Sequence, residues 1–157
     1  MLPRTANYAL RIAVWLARTP DRPLTGRQIA GGTQIPARYL YRVLQTLVKR
    51  KLVRSQPGPG GGYTLTRGPE DVSLLDVVSA VAPIARIRSC PLGLESHKDL
   101  CPLHKHLDDA YANLEQALAR VSVAEIVRAP TQFPPLVDAR QKKARRVSSG
   151  RRRSSRP

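Results

Sequence analysis

The chain has 157 residues, 41% of them apolar, and its 27 Lys and Arg against 11 Asp and Glu give a net charge of +16. That length suits one ordinary domain with an appendage and leaves two packed domains without enough chain. The charge, with a pI near 11.2, points to a polyanionic partner, nucleic acid ahead of an anionic membrane surface.

In chain order, Thr5 to Thr19 reads as a helix in which Ala6, Leu10, Ala13, Val14 and Ala17 form one apolar stripe, ended by Pro20. A short second helix opens at Thr25, with Gln28 three residues on as its capping-box partner, and Gly31-Gly32 are expected to close it. Pro36 suits the opening of a third helix, because its fixed φ fits the first turn and its missing donor costs nothing there. In that helix Leu40, Val43, Leu44, Leu47 and Val48 make the buried stripe. At 100° per residue the opposite face holds Arg38, Arg42, Gln45 and Lys49, with Tyr39 and Tyr41 at the boundary.

Leu52 to Gln56 reads as a strand, the run Pro57-Gly58-Pro59-Gly60-Gly61-Gly62 as a loop, and Tyr63 to Thr66 as the returning strand. Three helices followed by a hairpin predict a mostly α fold with a small β-hairpin, the winged helix-turn-helix. Ser73 and Asp76 begin a fourth helix, which Pro83 stops. Residues 84–102 lose periodicity and hold both cysteines, Cys90 and Cys101, as a loop would. From Leu103 a long helix carries Leu103, Leu107, Ala110, Leu114, Ala117 and Val121 in alternating steps of four and three. That heptad seam suits packing along a second copy of itself. Ser122 and Glu125 open a last short helix. Beyond it, residues 129–157 carry 9 Lys and Arg against one Asp and no apolar period, and read as a disordered basic tail that adds phosphate contacts.

The glycine loop feeds a strand rather than a helix, and no Gly-Lys-Ser/Thr follows it, so nucleotide binding is not expected. Beside Arg54 and Arg67 on a basic body, Gly60, Gly61, Gly62 and Tyr63 are instead expected to meet the DNA backbone. Arg reads guanine and Gln reads adenine through paired hydrogen bonds, so Arg38, Arg42 and Gln45 are candidates for base or phosphate contact. Lys49, Tyr39 and Tyr41 complete that surface. No apolar run nears the roughly 20 residues that span a bilayer. Arg4 and Arg11 break any signal-peptide apolar region. A cytoplasmic protein with no membrane partner and no small-molecule substrate is expected. Thiolates and imidazoles at Cys90, His97, Cys101 and His104 could supply ligands to a [2Fe-2S] cluster or to zinc, with a cofactor-free loop or a thiol switch as alternatives. An enzyme is disfavoured, since no oxyanion loop accompanies these thiols.

Several stretches together resemble the Rrf-two family of IscR- and NsrR-like bacterial winged-helix regulators. They are Tyr8-Ala9-Leu10-Arg11, Ile35-Pro36-Ala37-Arg38-Tyr39-Leu40, Gly58-Pro59-Gly60-Gly61-Gly62-Tyr63, Val72-Ser73-Leu74-Leu75-Asp76-Val77-Val78 and Cys101-Pro102-Leu103-His104. The likeness covers about residues 2–127. It implies a homodimer whose long helices cross between subunits, each third helix and wing addressing half of a palindromic operator in double-stranded DNA, with repression or dual regulation. Two departures stand out. Tyr41-Arg42 replaces the Glu-Gln of many members, and two cysteines stand where cluster-binding members carry three, with His97 near the middle position. The organisation expected is a DNA-binding domain at 1–82, a cysteine-containing sensor-type loop at 83–102, a dimerisation helix and short terminal helix at 103–128, and the tail at 129–157. The competing class is a basic protein that coats DNA or RNA without sequence choice.

Overall fold

The computed structural model describes residues 2–93, 99–132 and 134–136. Of the tail expected to be disordered at 129–157, residue 133 and residues 137–157 lie outside these, while the described start of it is ordered, with Leu136 packed against the core and Pro135 O bonded to Arg18, which corrects the expectation there. Its helices are α1 (Arg4–Ala17), α2 (Gly26–Thr33), α3 (Ala37–Lys49), α4 (Leu74–Val81), α5 (Pro102–Ala119) and α6 (Val123–Arg128). The strands β1 (Val53–Gln56) and β2 (Gly62–Leu65) pair antiparallel in the register Val53 with Leu65 through Gln56 with Gly62. A 3-10 turn at Pro69–Asp71 leads into α4.

The centre is α1. Ala6, Ala9, Ile12, Ala13, Val14, Leu16 and Ala17 are buried on it, a wider set than one stripe. Its four alanines let neighbours approach closely, and α2, α3, α4, α6 and β2 all pack on it. Leu40, Val43, Leu44 and Leu47 of α3 enter the same core, joined by Val53, Val72, Val77 and Val123. Burying side chains of this kind is worth about 1.5–3 kcal/mol each before conformational entropy is set against it.

Capping chemistry fixes three helix starts. At Thr25, Ser73 and Ser122 the hydroxyl accepts from the third backbone amide, and Gln28, Asp76 or Glu125 accepts from the cap amide in return. Two helix ends depart from the glycine rule. α3 stops in a Schellman pattern, the Leu52 amide donating to Leu47 O at 3.0 Å and that of Lys51 to Val48 O at 2.9 Å, although Lys51 rather than glycine takes the left-handed position at φ 58°. Gln34 plays the corresponding part after α2, at φ 53°. Gly31 and Gly32 therefore lie inside α2 and do not end it, which corrects the sequence expectation. Gly32 is there because the Trp15 ring of α1 lies against its Cα.

The last part of the chain folds back onto the first. Ser73 and Ser122 form an isolated bridge, Leu74 N donating to Val121 O at 2.9 Å and Val123 N to Val72 O at 2.8 Å, which seats α6 beside α1. α5 stands apart in one respect: it has no buried residue.

Gly32→Ala should test the α1–α2 contact. A helix gains up to about 1 kcal/mol from Ala over Gly, but the new methyl would displace the Trp15 ring, and overpacking costs about 1–3 kcal/mol. A lowered urea midpoint with unchanged slope is expected.

Candidate nucleic-acid interface and cysteine loop

Because α3 commits its apolar stripe to the core, its other face is turned to solvent, and Arg38, Tyr41, Arg42, Gln45 and Lys49 are all exposed there. The side chains of Arg42, Gln45 and Lys49 bond to no described residue, leaving their donors free for a ligand. Arg38 is held: its Nη2 donates to Tyr39 OH at 2.8 Å, and its guanidinium lies 4.7 Å from the Tyr39 ring centroid. Half-buried Tyr39 in turn leans on Tyr8 of α1, ring centroids 6.2 Å apart. Tyr41 lies over the start of α2, its hydroxyl 2.6 Å from where a Cβ on Gly26 would stand. The sequence showed Tyr41 at the boundary of the stripe but not that it spans the helix-turn-helix elbow.

The wing is joined to the same body. Leu24, just before α2, exchanges two hydrogen bonds with Tyr63, 3.0 and 2.8 Å long, so β2 has a partner on each side. Gly62, at φ 148°, permits that closeness, since a Cβ there would stand 2.6 Å from Leu24 O. Gly61 is similarly confined by the backbone oxygens of Gln56 and Pro57. Gly58 and Gly60, both at positive φ and meeting nothing within 4 Å, form the open tip. The glycines thus divide: the last two build the hairpin, and the first two leave bare backbone at its end. Half-buried Tyr63 packs against the core.

In the loop after α4, Cys90 and Cys101 are both half-buried free thiols. Cys101 caps α5 and its Sγ lies 3.3 Å from His104 Nδ1, one turn along. His97 lies outside the described residues. A [2Fe-2S] cluster or structural zinc takes four protein ligands. Among the described residues no three Cys, His, Asp or Glu gather as a metal would require, so the described donors do not fit either group.

The loop has an anchor that pattern reading did not find. Arg86 donates from Nε and Nη2 to both oxygens of Asp108 on α5, at 2.7 and 2.6 Å, and from Nη1 to Glu115 Oε2 at 3.3 Å. The Ile87 amide adds a bond to Asp108 Oδ1 at 2.8 Å. This paired geometry is the strong form of an Arg–carboxylate contact. The Arg86 guanidinium, aided by the Ile87 amide and opposed by partial burial, holds the Asp108 carboxyl down to about 2. Hydrogen bonding to the carboxylates of Asp108 and Glu115, opposed by partial burial, pushes Arg86 further up. Two carboxylates seven residues apart on one helix face were the available signal.

The seam on α5 is outward. Leu103 is 64% exposed, Leu107 43% and Leu114 38%, with Ala110 and Ala117 also exposed. Val121, expected as the last member of the seam, instead lies past the end of α5, half-buried and with its carbonyl bonded to the Leu74 amide. The opposite face, through His104, Asp108 and Glu115, is the covered one, and it lies toward α4.

Comparisons agree with this architecture. The family model Rrf2, described as an iron-dependent transcriptional regulator, matches residues 2–129. BadM of Rhodopseudomonas palustris, named as an HTH-type transcriptional regulator, is 28% identical over 95% of this chain and 90% of its own. YffB of Lactococcus lactis, named likewise, is 31% identical over 76% of this chain and 82% of its own. Among solved structures, CymR of B. subtilis, the global cysteine regulator, superposes with a TM-score of 0.70 at 19% identity, over 83% of this chain and 98% of its own. T. potens IscR does so with a TM-score of 0.69 at 19% identity, over 85% and 93%.

Because the folded-state pKa of Asp108 is depressed, its ionic link stabilises above the unfolded value near 4 and is lost as pH falls toward about 2. Urea midpoints of wild type and Asp108→Asn should therefore differ at neutral pH and converge below about pH 2.

Proposed function

The chain belongs to the Rrf2 family of transcriptional regulators, and from that premise we propose that it binds a palindromic operator in double-stranded DNA as a homodimer through α3 and the wing. It is a DNA-binding regulator and not an enzyme, as its relatives are named. The observation that carries the interface is the set of unpartnered donors Arg42, Gln45 and Lys49 on the exposed side of α3. A helix fits the major groove, where Arg and Gln discriminate bases through paired hydrogen bonds. Lys49 and the open backbone at Gly58 and Gly60 suit phosphates, which position the protein without reading sequence. Arg38, fixed over Tyr39, enters the groove pre-oriented and so loses less freedom on binding.

The partition of labour follows the chain: reading by residues 1–82, switching by 83–102, pairing by 103–128, and added charge from 129–157. A row of exposed leucines at heptad spacing supports pairing through α5. Repression would follow from occupying a promoter, and the setting is the cytoplasm. Among the described residues no helix is long and apolar enough to cross a membrane. For sensing, Cys101 beside His104 at the start of α5 suits a thiol switch, because a change there would act directly on the pairing helix. Loop residues 83–93 would transmit the state of Cys90 through Arg86 and Asp108.

Competition binding tests the reading. Wild type should prefer its own promoter to bulk DNA by about 10³ or more at physiological salt. Arg42→Ala should lose about 1–3 kcal/mol on the operator alone, whereas Lys49→Ala should weaken all sequences alike and flatten the salt slope by about one. Equal affinity for operator and bulk DNA would return the coating protein. The pairing is checked separately: Leu107→Glu with Leu114→Glu should shift the protein to monomer in sedimentation equilibrium without loss of helix content, and operator affinity should fall with it.

A further inference from the structure

Between α1, α4 and α6 lies a pocket of about 260 Å³, open to solvent and walled on one side by Pro135 and Leu136 as the chain leaves α6. Asn7, Leu10, Arg11 and Val14 reach it from one face of α1, at the three- and four-residue spacing of a helix, and Leu74 and Ile126 complete it. Arg11 is half-buried there, yet it forms no hydrogen bond or ion pair with any described residue. The acids that do form pairs serve other cations: Asp76 pairs with Arg67, Asp108 and Glu115 with Arg86, Asp109 with Lys105, and Glu70 with Arg128. Partial burial of a charge without a counter-ion is unfavourable, and an anion arriving at the guanidinium would relieve it.

The chemistry of the remaining walls narrows the anion. Apart from Arg11 and Asn7 they are aliphatic, so a phosphate or a second carboxylate would find no further protein partner and would leave the apolar walls uncovered, whereas one carboxylate carrying an apolar body matches both regions. At protein packing density the volume takes on the order of ten non-hydrogen atoms. We propose that this cavity binds a small monocarboxylate with an aliphatic or aromatic body, the carboxylate on Arg11 and Asn7 and the body against Leu10, Val14, Leu74 and Ile126. The arginine fork matches a carboxylate with two parallel bonds.

The molecule has a reporter in place. Arg18 donates to Pro135 O at 3.0 Å, and its guanidinium lies 5.3 Å from the centroid of Trp15, the single tryptophan. A ligand that presses on Pro135 changes the surroundings of that ring. The proposal goes beyond DNA recognition and is tested without DNA. Full-length protein is titrated with octanoate and, separately, with 1-octanol, followed by Trp15 emission and calorimetry. Octanoate should saturate one site per chain, and octanol should bind about 10- to 100-fold more weakly for want of the charge-assisted bonds. Arg11→Met should bring octanoate down to the octanol level, while Arg11→Lys retains part of the preference. Each variant is read against its own melting curve. Absence of saturation by octanoate, whether because a second subunit or the tail fills the cavity or because it has no affinity, overturns the proposal. So does equal binding of the two probes, or an Arg11→Met titration like wild type.

Discussion

The whole arrangement depends on how little space the side chains of α1 take up. With Ala6, Ala9, Ala13 and Ala17 all buried, four helices and a strand can lie against one axis at close range. α3 then has no choice of orientation. Its leucines and Val43 must face α1, and the 3.6-residue period turns Arg42, Gln45 and Lys49 to the opposite side. The proposed reading surface is thus a by-product of core packing, and Tyr8 on α1 extends the same control to Arg38 through Tyr39.

Local signals in the sequence translated directly into structure. Each of the three capping boxes starts a helix where Thr25, Ser73 or Ser122 places it, because both halves of the motif lie within four residues. The apolar period of α3 and the hairpin were equally legible. Errors arose where a distant residue decided. Gly31-Gly32 looked like a helix end because nothing nearby revealed that Trp15 needs the space. The true ends, at Gln34 and Lys51, use left-handed residues that no composition rule marks. The Leu24–Tyr63 bridge joins positions 39 apart and the Arg86–Asp108 pair positions 22 apart, beyond any periodic pattern. The cavity is the extreme case, since Arg11 and Leu136 come from opposite ends of the described chain.

The two faces of α5 divide its tasks. One carries Asp108 and Glu115 and receives the loop through Arg86; the other carries Leu103, Leu107 and Leu114 outward. Under the proposed mechanism a single rigid element would both hear the thiol loop and set the distance between two reading heads. Its 18 residues span about 27 Å. A small tilt imposed at Cys101 therefore becomes a larger displacement at the far end.

The backbone bridge from Leu24 to Tyr63 limits what kind of control is open to such a molecule. With the hairpin fastened to the segment before α2, the parts proposed to enter the grooves travel as one unit, and pulling the wing away from that segment would break two backbone hydrogen bonds at once. In the proposed dimer an effector would not readily blunt a single chain's grip on its half of the operator. Under the proposed pairing it would instead put two intact grips out of phase with the pitch of B-DNA, so that a change of spacing would forfeit cooperation and leave each half-site contact chemically unaltered.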